Sequence, residues 1–234
     1  GLSAQVTAEL VGTRLQLRAT DSSVTRLAVT VDAVPGFVAG QQADAHLQVT
    51  RRDGVSFPVI LGGAVTLTEI HDLLGGEYPL LRDMLRVFGS RQIRNRATMG
   101  GNLVTASPIG DSAPCLLALD ARVVLASEKG DRTLPIGEFF VAYRKTALQP
   151  DEVLKTILIP RGVSAAGLTR KAAWFKVSKR REMDISTVAA AFVVDMDDQR
   201  VIRHARLAYG GVAATPVRAR HAEAALVGKL WQPA

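Results

Sequence analysis

The residues best suited to chemistry lie between Arg94 and Asp111, in the run RNRATMGGNLVTASPIGD. Gly100 and Gly101 sit between a hydroxyl at Thr98 and an amide at Asn102. Backbone N–H groups beside glycine can approach a diphosphate closely, because no Cβ stands in the way. Thr105 and Ser107 add hydroxyl donors. Asp111, once ionised, only accepts hydrogen bonds, so it suits a ribose hydroxyl or an amide N–H rather than a phosphate. The pattern reads as a nucleotide-diphosphate site. A Gly-Gly pair followed by polar residues also reads as an ordinary turn, and the residues alone leave both open.

The other reactive residue types give less. Cys115 is the single cysteine, so the chain forms no internal disulfide and holds no iron–sulfur cluster by itself. It lies in the apolar stretch APCLLALDARVVL and is expected to be a core thiol in a reducing, cytoplasmic setting. His46, His71, His204 and His221 are far apart and lack metal-ligand spacing. The net charge is +7, yet Lys and Arg are scattered and aromatic residues make up 5%, which argues against nucleic-acid binding. No apolar run is long enough to span a bilayer, and no signal peptide is expected from the opening residues. Gly1 stands where Met is expected, as in a processed or cut start.

The elements that would position the site follow from the hydrophobic pattern. Three short strands are expected in 5–49, where VTAELVGTRLQLRAT, VTRLAVTVD and ADAHLQVT alternate apolar and polar residues. FPVILGGAV predicts a buried strand ending in a Gly-Gly turn. Thr66 and Glu69 have capping-box spacing, and Ile70, Leu73 and Leu74 form the apolar face of the helix that follows. YPLLRDMLRVFG predicts a second helix, and 91–111 a long functional loop. Beyond it come a helix and strand over 114–126, a hairpin at EKGDR, a short helix at LPIGEFF and a strand at EVLKTILIP. Pro160, Gly162 and Gly167 mark a boundary. Strands follow at Ala172–Val177 and VIRHARLAYGGV, with TVAAAFVVDM open to strand or helix. The helix in ATPVRARHAEAALVGKLW is expected to start near Pro216 and end near Gly228.

QIRNRATMGGNLVTASPIGDSAP closely resembles the second flavin motif of the FAD domain in molybdenum hydroxylases, a family that includes xanthine and carbon monoxide dehydrogenases. The resemblance continues through EFFVAYRKTALQPDEVLKTILIP, FKVSKRREMDIS and ARLAYGGVAATPVRARHAEAALVGKLW, covering about 55–231, with the small subunit of a bacterial xanthine dehydrogenase as its nearest flavour. It implies an α+β chain: a two-subdomain FAD-binding fold of the PCMH/VAO type, then a small α+β C-terminal flavoprotein domain that looks truncated. The implied divisions are a β-rich segment 1–50, an FAD-binding domain 51–165 and the C-terminal domain 166–234.

By the same resemblance, Asn102, Thr105, Ser107 and Asp111 match FAD-contacting positions, with Thr98, Gly100 and Gly101 at the diphosphate turn. Phe88 matches an aromatic near the flavin or adenine, and Leu154 an aliphatic residue on the isoalloxazine. Lys176 matches a lysine whose charge would stabilise reduced flavin, and Lys179 to Asp184 a charged loop flanking the ring. From the residues alone, Phe88 is a helix end, Leu154 a core strand residue and Lys176 a solvated lysine. The implied work is electron transfer from iron–sulfur clusters through FAD to NAD or oxygen. The implied partners are iron–sulfur and molybdopterin subunits or domains in a hetero-oligomer.

The family also has a Gly-Gly-Thr-Asp-like first flavin motif before the GGAVTLTEI strand, which this sequence does not show. Residues 1–49 resemble instead, over a short stretch, the start of a ferredoxin-reductase-type barrel, without its Arg-x-Tyr-Ser signature. Two other readings follow: a structural or assembly domain that binds no flavin, and a ferredoxin-reductase-like flavoenzyme.

Overall fold

The computed structural model describes residues 58–74, 76–161, 167–180 and 183–232, and the backbone of four strands between residues 6 and 51. The chain forms two compact units, Gly1–Val59 and Ile60–Ala234. In the first unit β1 (Val6–Val11) pairs antiparallel with β2 (Arg14–Ala19), and β3 (Val24–Thr30) with β4 (His46–Arg51). Four strands stand where alternation suggested three, because VTAELVGTRLQLRAT is a hairpin rather than one strand. His46 lies on β4, outside the described side chains.

The second unit begins within β5 (Val59–Gly62) and continues with α1 (Leu67–Leu74) and α2 (Pro79–Arg86). The capping box before α1 forms as its spacing requires. Thr66 N donates to Glu69 Oε2 at 2.8 Å, and Glu69 N donates to Thr66 Oγ1 at 3.3 Å. The buried face of α1 is Leu67, Ile70 and Leu74; Leu73, expected on it, is exposed. Leu67, Ile70 and Leu74 recur at three- and four-residue steps, and Leu73 falls one step off that face.

The expected long loop is built around two short helices, α3 (Arg91–Arg94) and α4 (Met99–Val104). Each is capped by a hydroxyl: Ser90 Oγ accepts from Ile93 N, and Thr98 Oγ1 accepts from Gly101 N at 3.0 Å. The polar residues that suggest a loop are thus the caps. α5 (Ser112–Ala118) follows, with all seven residues buried, Cys115 among them.

Then come β6 (Arg122–Ser127), β7 (Gly130–Pro135), α6 (Ile136–Phe139), β8 (Phe140–Ala142), β9 (Lys145–Thr146) and β10 (Val153–Ile159). A four-stranded sheet has the order β5-β10-β6-β7. A second sheet contains β11 (Thr169–Val177), β12 (Val188–Met196), β13 (Ile202–Gly210) and β14 (Val217–Arg218), in that order. TVAAAFVVDM is therefore a strand; its β-branched and small residues fill β12, the interior strand between β11 and β13. α7 (Arg220–Leu226) is shorter than its apolar pattern suggested. The stretch after Pro216 first forms β14, which spends two residues on pairing with β13.

α5 joins the two sheets' surroundings. It packs against β12 and β13, and also against α2, α4 and α6. Its buried run, apolar after Ser112, has no solvent face because it is covered from both sides. Among the described residues no helix is long and apolar enough to cross a membrane.

Candidate functional site

The site is assembled around α4 and the two ends of α5. α4 starts where the backbone comes very close to the turn after β5. Gly100 N donates to Gly63 O at 3.1 Å, and a Cβ on Gly100 would stand 2.5 Å from that same carbonyl oxygen. Gly63 is equally confined, since a Cβ there would meet Leu154 O at 2.2 Å. The glycines therefore stack three backbone segments: α4, the 62–63 turn and β10. This fixes α4 on the sheet more tightly than any side chain would allow.

The first-turn amides of α4 are all bonded within the chain. Met99 N reaches Val65 O, Gly100 N reaches Gly63 O, Gly101 N reaches Thr98 Oγ1 and Asn102 N reaches Thr98 O. What α4 presents outward is side-chain chemistry and the exposed Gly101. Thr105 is exposed, its hydroxyl donating to Asn102 O at 2.7 Å. Asn102 Oδ1 accepts from Ser112 Oγ at 2.5 Å, which ties α4 to the start of α5. Ser107 Oγ accepts from Ile109 N.

Asp111, just before α5, is buried and meets the second sheet. Its Oδ2 lies 2.9 Å from Lys176 Nζ, and its Oδ1 accepts from Ser186 Oγ at 2.5 Å. Lys176 comes from β11 and Ser186 from the segment before β12. A backbone seam runs alongside: Gly211 N donates to Pro108 O at 2.8 Å. Gly211 has a φ of +86°, and a Cβ there would stand 2.2 Å from Thr187 O, so a side chain is excluded twice over.

Lys176 also lines a cavity of about 360 Å³ with Asp83, Val87, Trp174, Ser178, Lys179 and Arg180. Trp174 Nε1 is buried without a hydrogen-bond partner among the described residues. A buried indole N–H is a donor that costs free energy unless an acceptor meets it. Of the lining cations Lys176 is already paired with Asp111, while Lys179 and Arg180 stand opposite Asp83 at the rim.

The sequence-predicted residues thus divide. Asn102, Asp111 and Lys176 are brought together through Ser112 and Ser186, with Thr98, Gly100, Gly101 and Thr105 on the same helix. Phe88 is half-buried just after α2, next to the cavity residue Val87. Leu154 is half-buried on β10, where its carbonyl abuts Gly63. Part of the 179–184 loop lies outside the described residues; Lys179 and Arg180 face the cavity. Ser112, Ser186 and Trp174 were not singled out from sequence. Ser112 directly follows Asp111 and was readable as part of that run, but nothing local marks Ser186 or Trp174.

A family profile described as the FAD binding domain in molybdopterin dehydrogenase matches residues 46–162, half of the chain. The chain belongs to that family. A profile described as the CO dehydrogenase flavoprotein C-terminal domain matches residues 173–234, so Asp111 and Lys176 come from the two different matched regions. Its mixed α and β architecture with antiparallel sheets fits both matched domains.

The chain is 34% identical over 180 residues to the xanthine dehydrogenase of Emericella nidulans, covering 72% of this chain and 13% of that protein. It is 33% identical over 178 residues to the nicotinate dehydrogenase FAD-subunit of Eubacterium barkeri, covering 72% of this chain and 57% of that one. Carbon monoxide dehydrogenase from Hydrogenophaga pseudoflava shares the fold at a TM-score of 0.68 and 28% identity, over 74% of this chain and 59% of that chain. The chain therefore spans less than two thirds of each of these relatives.

The family implies FAD, and the donor set here can be tested against it. Hydroxyls, an amide and a carboxylate on α4 and before α5 suit the hydroxyls of a ribityl or ribose group. The unpartnered Trp174 N–H and the Lys176 ammonium suit carbonyl oxygens or negative charge. The residues present fit a flavin nucleotide along its hydroxyl-bearing and ring portions. The first-turn amides of α4 are already bonded within the chain.

Proposed function

We propose that this chain supplies the flavin stage of a molybdenum hydroxylase, passing electrons that arrive from iron–sulfur clusters on to NAD or oxygen. The observation that carries the reading is the buried Asp111–Lys176 pair, which draws residues from both family-matched regions to one point. FAD, when bound, supplies the one- and two-electron chemistry. The protein's share is binding and electrostatics.

In this reading Asn102, Thr105 and Ser107 bind hydroxyl groups of the cofactor, with Thr98, Gly100 and Gly101 shaping the turn beneath them. Asp111 orients Lys176, whose positive charge stabilises negative charge on a reduced ring. Phe88 and Leu154 supply apolar contact. Iron–sulfur and molybdopterin centres belong to partner subunits or domains, since one buried cysteine cannot ligate a cluster. The domain divisions 1–50, 51–165 and 166–234 go with this assignment.

The test is the absorbance spectrum of the purified protein. Flavin bands, or their appearance after incubation with FAD, are expected; a protein that remains colourless with excess FAD sinks the reading.

A second reading is favoured by one observation, the internal bonding of every first-turn amide of α4. In it the chain keeps the fold and docks iron–sulfur and molybdenum subunits without binding flavin. Co-purification with such subunits in colourless form supports that alternative.

A further inference from the structure

α5 carries a carboxylate just outside each end, and both reach the second sheet. Asp111 before the helix holds Lys176 and Ser186. Asp120, two residues beyond Ala118, pairs with Arg206 Nε and with Arg218 Nη1, the latter at 2.6 Å. The second contact is itself embedded in a chain of ion pairs. Arg206 also reaches Asp195 at 3.1 Å, and Arg170 grips Asp195 through two hydrogen bonds. Arg218 grips the buried Glu223 through two more.

Asp120 has a φ of +52°, a left-handed conformation that Asp and Asn tolerate better than other side-chain residues. That conformation turns the chain from α5 into β6 and leaves the carboxylate beside both arginines. Between the two clamps lies the fully buried α5 with its single thiol, Cys115.

We propose that Asp120 is a positioning residue: by binding Arg206 and Arg218 at the far end of α5, it seats the second sheet so that Lys176 meets Asp111 at the near end. Lys176 is on β11, and the sheet is continuous from β11 through β12 to β13, where Arg206 sits. Loosening one clamp lets the sheet pivot about the other, which changes the Lys176 environment. The consequence for cofactor binding rests on the flavin reading above; the latch itself does not.

The experiment uses the full chain and two readouts. Asp120→Asn keeps the backbone preference at φ +52° and removes the charge, so it isolates the ion pairs. The first readout is the rate at which native Cys115 reacts with an aromatic disulfide reagent, which reports opening around α5. The second is the dissociation constant for added FAD. Asp120→Asn should raise both by about tenfold, in keeping with the weakening of its two charge-assisted hydrogen bonds, to Arg206 and Arg218. Asp151→Asn, which removes the exposed Lys129 pair, should leave both unchanged. Unchanged thiol reactivity in Asp120→Asn overturns the latch. Faster thiol reaction with unaltered FAD affinity overturns the positioning role. A wild-type chain that binds no FAD, while Asp120→Asn still speeds the thiol reaction, sinks the flavin reading and sustains the latch.

Discussion

Lys176 Nζ lies 2.9 Å from Asp111 Oδ2, with both side chains 8% exposed, although the two residues are 65 positions apart. A buried ion pair is weak evidence of stability, but removing one partner leaves the other charge uncompensated. Asp111→Ala is therefore expected to destabilise the protein by roughly 3–5 kcal/mol, read as a lower urea midpoint. The double variant Asp111→Ala with Lys176→Met should recover a good part of that loss. Equal destabilisation in the single and double variants would show that the charge is not the issue.

Gly100→Ala tests the glycine stack. Its new Cβ would sit 2.5 Å from Gly63 O and 2.9 Å from Gly63 Cα, both backbone atoms with little room to yield. A loss of about 1–3 kcal/mol is expected, the usual range for overpacking a tight contact. Gly76→Ala is the control, because nothing lies within 4 Å of a Cβ there. Thermal unfolding of the two variants decides the point: similar midpoints would mean that α4 shifts freely off the 62–63 turn.

Asn102→Ala removes the acceptor for Ser112 Oγ and the amide that α4 offers outward. The flavin reading predicts that FAD binds about tenfold more weakly in this variant, the scale of one lost hydrogen bond to an ordered group. Fluorescence titration with FAD measures it. Unchanged affinity removes Asn102 from the site.

Much of this arrangement is legible in the sequence. The capping box at Thr66 and Glu69 is a local pattern and formed as read. α2 was likewise readable from its apolar spacing and the Pro79 start. The 91–111 run was recognised as special from its glycines and polar residues, but its short helices were not. Their stability comes from hydroxyl caps and from burial of Met99 and Leu103, and four- to six-residue helices carry too few turns to show periodicity. Gly100 illustrates a second limit. Its type announced a close approach, yet only the fold reveals that the neighbour is Gly63 of the same chain. Lys176 and Asp111 each read as ligand-facing from the family resemblance, and the sequence holds no sign that they face each other. Ser186 and Asp120 are invisible for the same reason: their partners are set by how β12 and β13 pack on α5.

The acid response of the protein follows from Asp195 and Glu223. Burial pushes the Asp195 carboxyl up, but hydrogen bonds and charge from Arg170 and Arg206 outweigh it and leave the group below its ordinary value of 3.8. Burial likewise raises Glu223, and Arg218, the Leu207 N–H and the nearby arginine charges overcome it, leaving the group below 4.5. Each carboxyl thus binds its proton less readily in the folded state than in the unfolded state. Such groups stabilise the fold fully above their unfolded values and lose that contribution as pH falls through the lower folded values. Stability should therefore be flat from these two groups above about pH 5.5 and decline below about pH 4.5. Urea midpoints measured from pH 7 to pH 3 give the slope, and Asp195→Asn should be less stable at pH 7 with a shallower decline on acidification. A variant whose acid slope matches wild type would take Asp195 out of the account.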